Sequence, residues 1–143
     1  MTKSEKYIQG SLYVLSEMSE LDGMMDYSVQ SVRLIDDMIE KYFAEKDPMS
    51  SVILGERTQM MVIAFGAYIG EVIIRNTNGT EWIYQADENF SILNTELRST
   101  NGFQMWPLGK VARRIRDGVG DELYVYVDFA VNELINKDSA SDS

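Results

Sequence analysis

The side chain best placed for acid–base chemistry is Glu71, the one charged residue in an otherwise apolar stretch from Met60 to Ile74. A carboxylate that is buried without a partner takes up a proton and can serve as a general acid or base. Arg75 follows four residues later, which is also the spacing of an ordinary stabilising ion pair on a helix. We favour the ion pair and keep catalysis by Glu71 as the alternative. Burial of that pair in a core helix predicts that Glu71→Gln clearly lowers the melting temperature.

A second group of charged side chains could bind an anion. Four cations fall within seven residues of one another: Lys110, Arg113, Arg114 and Arg116. On a helix, Lys110 shares a face with Arg113 and Arg114, which suits a phosphate or carboxylate ligand. Because the chain has a surplus of acids, we favour the alternative, in which these cations pair with the protein's own carboxylates.

Aromatic side chains around a predicted sheet could form a platform for a ligand: Trp82, Tyr84, Phe103 and Trp106. Helices must cover one face of a small sheet, and large aromatic residues fill that space well. We therefore favour a core position for these residues and keep Trp82 as a candidate binding residue. Gly66 and Gly70 leave one side of a helix nearly bare, for which packing against another element is the favoured explanation.

Composition restricts metal and nucleophile chemistry, because the sequence contains no cysteine and no histidine. Zinc sites built from these residues, thiol nucleophiles and imidazole-based triads are excluded. Asp36, Asp37 and Glu40 could bind a hard cation if they converged, but such a run is usually a solvated helix face. The sequence also lacks a P-loop, a dinucleotide-binding glycine motif and a nucleophile elbow. We predict no metal and no cofactor, and we favour a protein that is not an enzyme.

The charge balance favours a basic protein partner. Thirteen lysines and arginines against twenty-three acids give a net charge of −10, which repels nucleic acid and anionic membranes. We therefore predict neither nucleic-acid binding nor membrane binding. The first residues show no apolar core followed by a cleavage site, so we expect a cytoplasmic location.

The elements that position these residues are predicted from periodicity. The sequence is long enough for one compact domain, placed at residues 1–136, and the polar end 137–143 predicts a disordered tail. Apolar spacing predicts two helices over 4–20 and 27–45. Asp26 is the predicted N-cap of the second helix.

A third helix is predicted over 52–75. It is nearly apolar all round, and it is too short and too charged for a membrane span, so we expect it to be the buried centre of the fold. Alternation then predicts a meander of three antiparallel strands, at 80–86, 90–97 and 103–105.

Two helices are predicted to follow the strands. Pro107 suits the first turn of a helix that ends at Asp117, and Asp121 is the predicted cap of the last helix. A strand over 123–127 is the alternative for the start of that last helix. Helices, then a meander, then helices predict the α+β class.

Three stretches together form a set of motifs. They read D-Y-S-x-x-S-x-x-x-x-D from Asp26 to Asp36, G-A-Y-x-G-E-x-x-x-R-N-x-x-G-x-x-W from Gly66 to Trp82, and P-x-x-K-V-x-x-R from Pro107 to Arg114. The set resembles a family of small uncharacterised bacterial proteins over residues 24–120. The resemblance implies a bacterial cytoplasmic α+β domain and carries no activity, cofactor or active-site residue. By analogy, small acidic domains of this kind suggest a toxin-neutralising or accessory binding role.

Our leading functional hypothesis is a non-enzymatic acidic binding protein, such as an immunity or inhibitor protein, that meets a basic protein partner. The alternative is a small-molecule-binding or hydrolytic domain that uses Glu71, Arg75 and the basic helix 110–116. A third possibility is an oligomer-forming structural subunit. The candidate ligand- or partner-binding residues are Glu71, Arg75, Trp82, Lys110, Arg113 and Arg114.

Overall fold

One long helix forms the centre of the fold. A computed structural model describes residues 2–17, 25–44, 55–84, 91–117 and 122–135. The elements are, in chain order, α1 (Lys3–Glu17), α2 (Val32–Ala44), α3 (Gly55–Arg75), β1 (Glu81–Ile83), β2 (Glu96–Arg98), β3 (Gln104–Met105), α4 (Pro107–Asp117) and α5 (Leu123–Phe129), which continues as a π-helix over Ala130–Ile135. The chain is thus a mostly helical α+β protein, with helices first, a small antiparallel sheet next and helices last, which confirms the predicted class.

Helix α3 is buried because apolar residues cover most of its circumference. Five of its residues are no more than 1% exposed: Ala67, Tyr68, Ile69, Val72 and Ile73. Helices α1 and α4 both pack against it. A Cβ on Gly66 would lie 2.6 Å from Leu108 of α4, and a Cβ on Gly70 would overlap the Trp82 ring of β1. The favoured explanation of the two glycines, close packing within the chain, is confirmed.

The window Thr58–Arg75 of α3 has the length and composition of a membrane span, with a mean hydropathy of 1.2, so the expectation that this segment is too short and too charged for one is wrong. Half of that window is buried inside the domain, and the core helix of a soluble protein passes the same test. Helices α1 and α4 pack against α3, and this packing explains why the helix is so apolar.

The predicted first helix is α1, which runs without a break through Gly10 and buries Ile8 completely. A Cβ on Gly10 would meet nothing within 4 Å, so this glycine faces open space. The last residues of the prediction, 18–20, lie outside the described residues, as does the predicted tail 137–143.

The second helix starts differently from the prediction. A 3-10 turn over Val29–Ser31 precedes α2, and Ser28 caps that turn by accepting a hydrogen bond from the Ser31 amide at 3.1 Å. Asp26 instead accepts from the amide and the hydroxyl of Ser28, at 3.0 and 2.6 Å. The Asp26 cap is therefore wrong, because the chain turns at Tyr27, whose φ is +62°, before the helix begins.

The sheet has the predicted meander order β1-β2-β3, with antiparallel pairing and Leu97 opposite both Trp82 and Met105. The strand predicted over 90–97 is wrong in its first half, where Ile92–Asn94 forms a 3-10 turn. Ser91 caps this turn and the Thr95 hydroxyl donates to the Ile92 carbonyl at 2.8 Å. Such side-chain bonds to the local backbone compete with strand pairing.

The last two helices follow the prediction more closely. Helix α4 begins at Pro107 and ends at Asp117 as expected. Residues 123–135 are helical, so the alternative strand over 123–127 is wrong. The predicted cap Asp121 lies outside the described residues. The first two amides of α5, at Leu123 and Tyr124, donate hydrogen bonds to a carboxylate of another helix.

Candidate functional site

That carboxylate belongs to Asp36 of α2, which is buried. Its Oδ1 lies 3.2 Å from Nε of Arg114 and accepts a hydrogen bond from the Leu123 amide at 2.8 Å. Its Oδ2 accepts from the Tyr124 amide, also at 2.8 Å. Glu122, at the N-cap position of α5, makes no capping bond with its side chain, so Asp36 caps this helix from outside. We call Asp36, Arg114 and these two amides the Asp36 cluster.

The expectation that Asp36 lies on a solvated face is wrong. It is four residues after Val32 and three before Ile39, both of which are buried, so it lies on the apolar stripe of α2. Asp37 and Glu40 are exposed as expected. Among the described residues no three acids come together in a way that could hold a metal ion, so the three carboxylates do not converge.

The basic segment of α4 does not form one exposed anion site. Lys110 and Arg114 are buried, and the Lys110 amine lies 5.4 Å from the centre of the Tyr126 ring. Arg116 pairs with Asp117 at 2.8 Å. Arg113 is exposed and also has an interaction partner. The favoured interpretation, in which cations of this segment pair with the protein's own acids, is confirmed for Arg114 and Arg116.

Glu71 and Arg75 form the ion pair that their spacing predicts. Nε of Arg75 lies 3.3 Å from Oε1 of Glu71. The Arg75 side chain is 54% exposed and the Glu71 side chain is 19% exposed. Helix α3 is therefore not buried on all sides at this point. The pair is open to water on the arginine side, so it resembles a half-exposed helix pair more than a buried one.

Arg75 also contacts an aromatic pair. Its guanidinium carbon lies 3.7 Å from the centre of the Tyr27 ring, which stacks on Tyr68 with ring centres 4.7 Å apart. The Tyr68 hydroxyl accepts from the Tyr27 amide at 2.9 Å, and Asn76 donates to the Tyr27 carbonyl at 2.8 Å. These bonds hold Tyr27 in its left-handed conformation. We call Tyr27, Tyr68, Glu71 and Arg75 the Arg75 cluster.

The Arg75 cluster stabilises the fold through its tyrosines and is exposed to solvent only at Arg75. Tyr68 shares a 2.7 Å hydrogen bond with the hydroxyl of Ser31, and burial raises the pKa of Tyr68. A neutral phenol with this many partners is a poor nucleophile or base at neutral pH. The exposed guanidinium of Arg75 is the part of this cluster that can meet a carboxylate of another molecule.

Trp82 occupies a core position, as favoured, with its ring against Gly70. Its Nε1 is buried and has no hydrogen-bond partner among the described residues. Tyr84 stacks nearby at 6.5 Å between ring centres, and Phe103 packs partly buried against the core. Trp106 is 46% exposed, so its expected core position is wrong and the four aromatic residues do not form one platform.

The structure does not bring the candidate residues into one site. Arg75 pairs with Glu71, Arg114 pairs with Asp36, and Lys110 is directed at the Tyr126 ring, so the candidate cations have different partners. Sequence reasoning missed Asp36, Tyr27 and Tyr68 as organising residues. For Asp36 a signal was available in the sequence, because its spacing from Val32 and Ile39 places it on the apolar side of α2.

Most of the net charge belongs to segments outside the described residues. The segments outside the described residues, 18–24, 45–54, 85–90, 118–121 and 136–143, contain nine acids and two cations, which is −7 of the total −10. The excess charge is therefore concentrated in the connecting segments and the end of the chain.

Comparison with known proteins gives no match: no family model, no curated protein and no solved structure is significantly similar to this chain.

Proposed function

We propose that this protein is a non-enzymatic acidic binding protein, such as an immunity or inhibitor protein, whose partner is a basic protein in the bacterial cytoplasm. The observation that carries the proposal is the charge distribution. The connecting segments and the chain end hold a net charge of −7. Charge concentrated in this way speeds association with a basic partner and makes it sensitive to salt.

The internal use of the strongest basic segment supports the same proposal. Arg114 is bound to Asp36, and Arg116 is bound to Asp117. Each pair neutralises one cation with one acid, so the surplus of acids is unchanged. These two arginines therefore repel a basic partner less than the basic run in α4 suggests.

The alternative is a small-molecule-binding or hydrolytic domain that uses Glu71, Arg75 and the basic helix. One observation favours it, the exposed guanidinium of Arg75 beside the Tyr27 ring. It requires the basic helix to face the same site, whereas Lys110 and Arg114 contact Tyr126 and Asp36. We therefore prefer the acidic binding protein.

We also propose that the three motifs place the chain with the bacterial family that they resemble. The proposal rests on the motifs themselves, whose residues also contact one another in the fold. Tyr27 of the first motif stacks on Tyr68 of the second, and Asp36 of the first pairs with Arg114 of the third. Gly66 of the second lies against Leu108 of the third. The motif residues thus act together as one packing unit.

Affinity capture from the organism that carries the gene tests the proposed function. The bait is the wild-type chain at low salt, compared with a variant carrying Gln or Asn at Glu20, Asp22, Glu45, Asp47, Asp87 and Glu88. We expect the wild type to retain a basic protein and the variant to lose most of it, with both chains showing the same circular dichroism. Recovery of no basic partner, or equal recovery by both baits, contradicts the proposal. A neighbouring toxin gene whose product the chain neutralises would identify it as an immunity protein.

A further inference from the structure

The C-terminal helix has an exposed apolar face that the core does not use. Val125 and Phe129 are 60% and 52% exposed, although they lie four residues apart on one side of α5. The core is filled by other residues of the helix, Leu123, Val127, Ala130 and Val131. Large apolar side chains grouped on the surface mark contact sites more often than single exposed residues do.

Carboxylates border these two residues. Glu122 precedes Val125 by three residues and Asp128 follows it by three, so both lie next to the apolar pair. The exposed Glu133 follows in the π-helical continuation of α5. Within the described ranges, Glu122 and Asp128 have no cationic partner, and Asp128 accepts only from the side chain of Asn132, at 2.8 Å. We call Val125, Phe129, Glu122, Asp128 and Glu133 the C-terminal face.

Two cations of other helices contact aromatic rings of α5. Arg33 lies 3.9 Å from the centre of the Tyr124 ring, and Lys110 lies 5.4 Å from the centre of the Tyr126 ring. Trp106, which directly precedes α4, is also exposed.

We infer that the C-terminal face is the docking surface for a basic amphipathic segment of the partner protein. Apolar side chains of that segment cover Val125 and Phe129, and its lysines or arginines pair with Glu122 and Asp128. This inference rests on the proposed function and assigns a surface to it. A purely cationic partner would leave the apolar pair uncovered, and the carboxylates repel an anionic membrane. A second copy docked symmetrically would place like charges against one another.

The probe for this inference is a synthetic helical peptide of leucine and lysine, with its leucines on one face. Amide shifts in NMR spectra locate the contact, and fluorescence anisotropy of a labelled peptide gives Kd. The first variant is Val125→Ser with Phe129→Ser, and its control is Met60→Ser, an equally exposed apolar residue of α3 at 69%. The second is Glu122→Gln with Asp128→Asn, and its control is Asp37→Asn with Glu40→Gln on α2.

We expect shifts centred on α5 and a Kd about tenfold or more weaker for the apolar variant. The charge variant should weaken binding by about three- to tenfold, mostly at low salt, with little change for either control. Equal binding by the face variants and their controls overturns the assignment while leaving the proposed function intact. Failure of the wild type both to bind the peptide and to capture a basic protein overturns the proposed function itself. A dimer that disappears with Phe129→Ser also overturns the assignment, since it would make a second copy the occupant.

Discussion

Asp36 and Arg114 form a buried ion pair across 78 residues of sequence, with 3.2 Å between Oδ1 and Nε. The same carboxylate caps α5 through the amides of Leu123 and Tyr124. One side chain of α2 therefore fixes the positions of both C-terminal helices. A charge buried in this way stabilises the fold only while all of its partners are present.

Asp36→Asn is therefore expected to destabilise the protein by about 3–5 kcal/mol, because it removes the carboxylate charge that faces the buried Arg114 guanidinium and caps α5. Chemical denaturation gives the free energy of unfolding. Asp37→Asn, on the exposed side of the same helix, is the matched control and should change it by no more than about 0.5 kcal/mol. Similar small effects of the two substitutions would contradict the buried pair.

Glu71→Gln is expected to cost only about 0–1 kcal/mol, since Arg75 is 54% exposed and water already screens the pair. This loss is smaller than the clear fall in melting temperature expected if α3 buried the Glu71–Arg75 pair. The same denaturation measurement checks it, and the loss should shrink further in high salt. A loss as large as that of Asp36→Asn would show that Glu71 has buried partners beyond Arg75.

Gly70→Ala is expected to destabilise by about 1–3 kcal/mol, because a Cβ at this position overlaps the Trp82 ring. Gly10→Ala is the natural control, since it lies within α1 and a Cβ there meets nothing within 4 Å. That control should stabilise the protein by about 0.5–1 kcal/mol through helix propensity. Thermal melts of the two variants should therefore shift in opposite directions.

Stability at alkaline pH should depend on Tyr126, because burial raises the pKa of Tyr126 to about 12. An unfolded tyrosine titrates near 10, so the folded state favours the neutral phenol. The stabilisation is complete below about pH 10 and is lost as the pH rises from there to about 12. Urea unfolding between these pH values should show a steeper loss for the wild type than for Tyr126→Phe. Parallel pH profiles would argue against a buried neutral Tyr126.

The elements that depend on local sequence patterns could be predicted from the sequence. Apolar spacing was sufficient for the helices, Pro107 marked the start of α4, and the glycine pair of α3 indicated close packing. The strand predicted over 90–97 was wrong because Ser91 and Thr95 bond the local backbone and turn the chain there. That competition depends on side-chain geometry that alternation does not encode.

The polar contacts could be predicted only where they are local. Glu71 and Arg75 are neighbours on one helix, so their pairing follows from spacing. Asp36 pairs with Arg114 and caps α5 because tertiary packing brings α2, α4 and α5 together, and a single sequence gives no register for that packing. The inward direction of Lys110 has the same origin.

The salt dependence of binding to the captured partner tests the proposed acidic binding function most directly. Titration calorimetry would measure Kd for the wild-type chain between about 0.05 M and about 0.3 M salt, a range over which the Debye length falls from about 14 Å to about 6 Å. We predict a Kd that rises about tenfold or more across this range, and a much flatter dependence for the variant with six neutralised acids. A Kd that is independent of salt, or a partner with no excess of basic residues, would contradict the account.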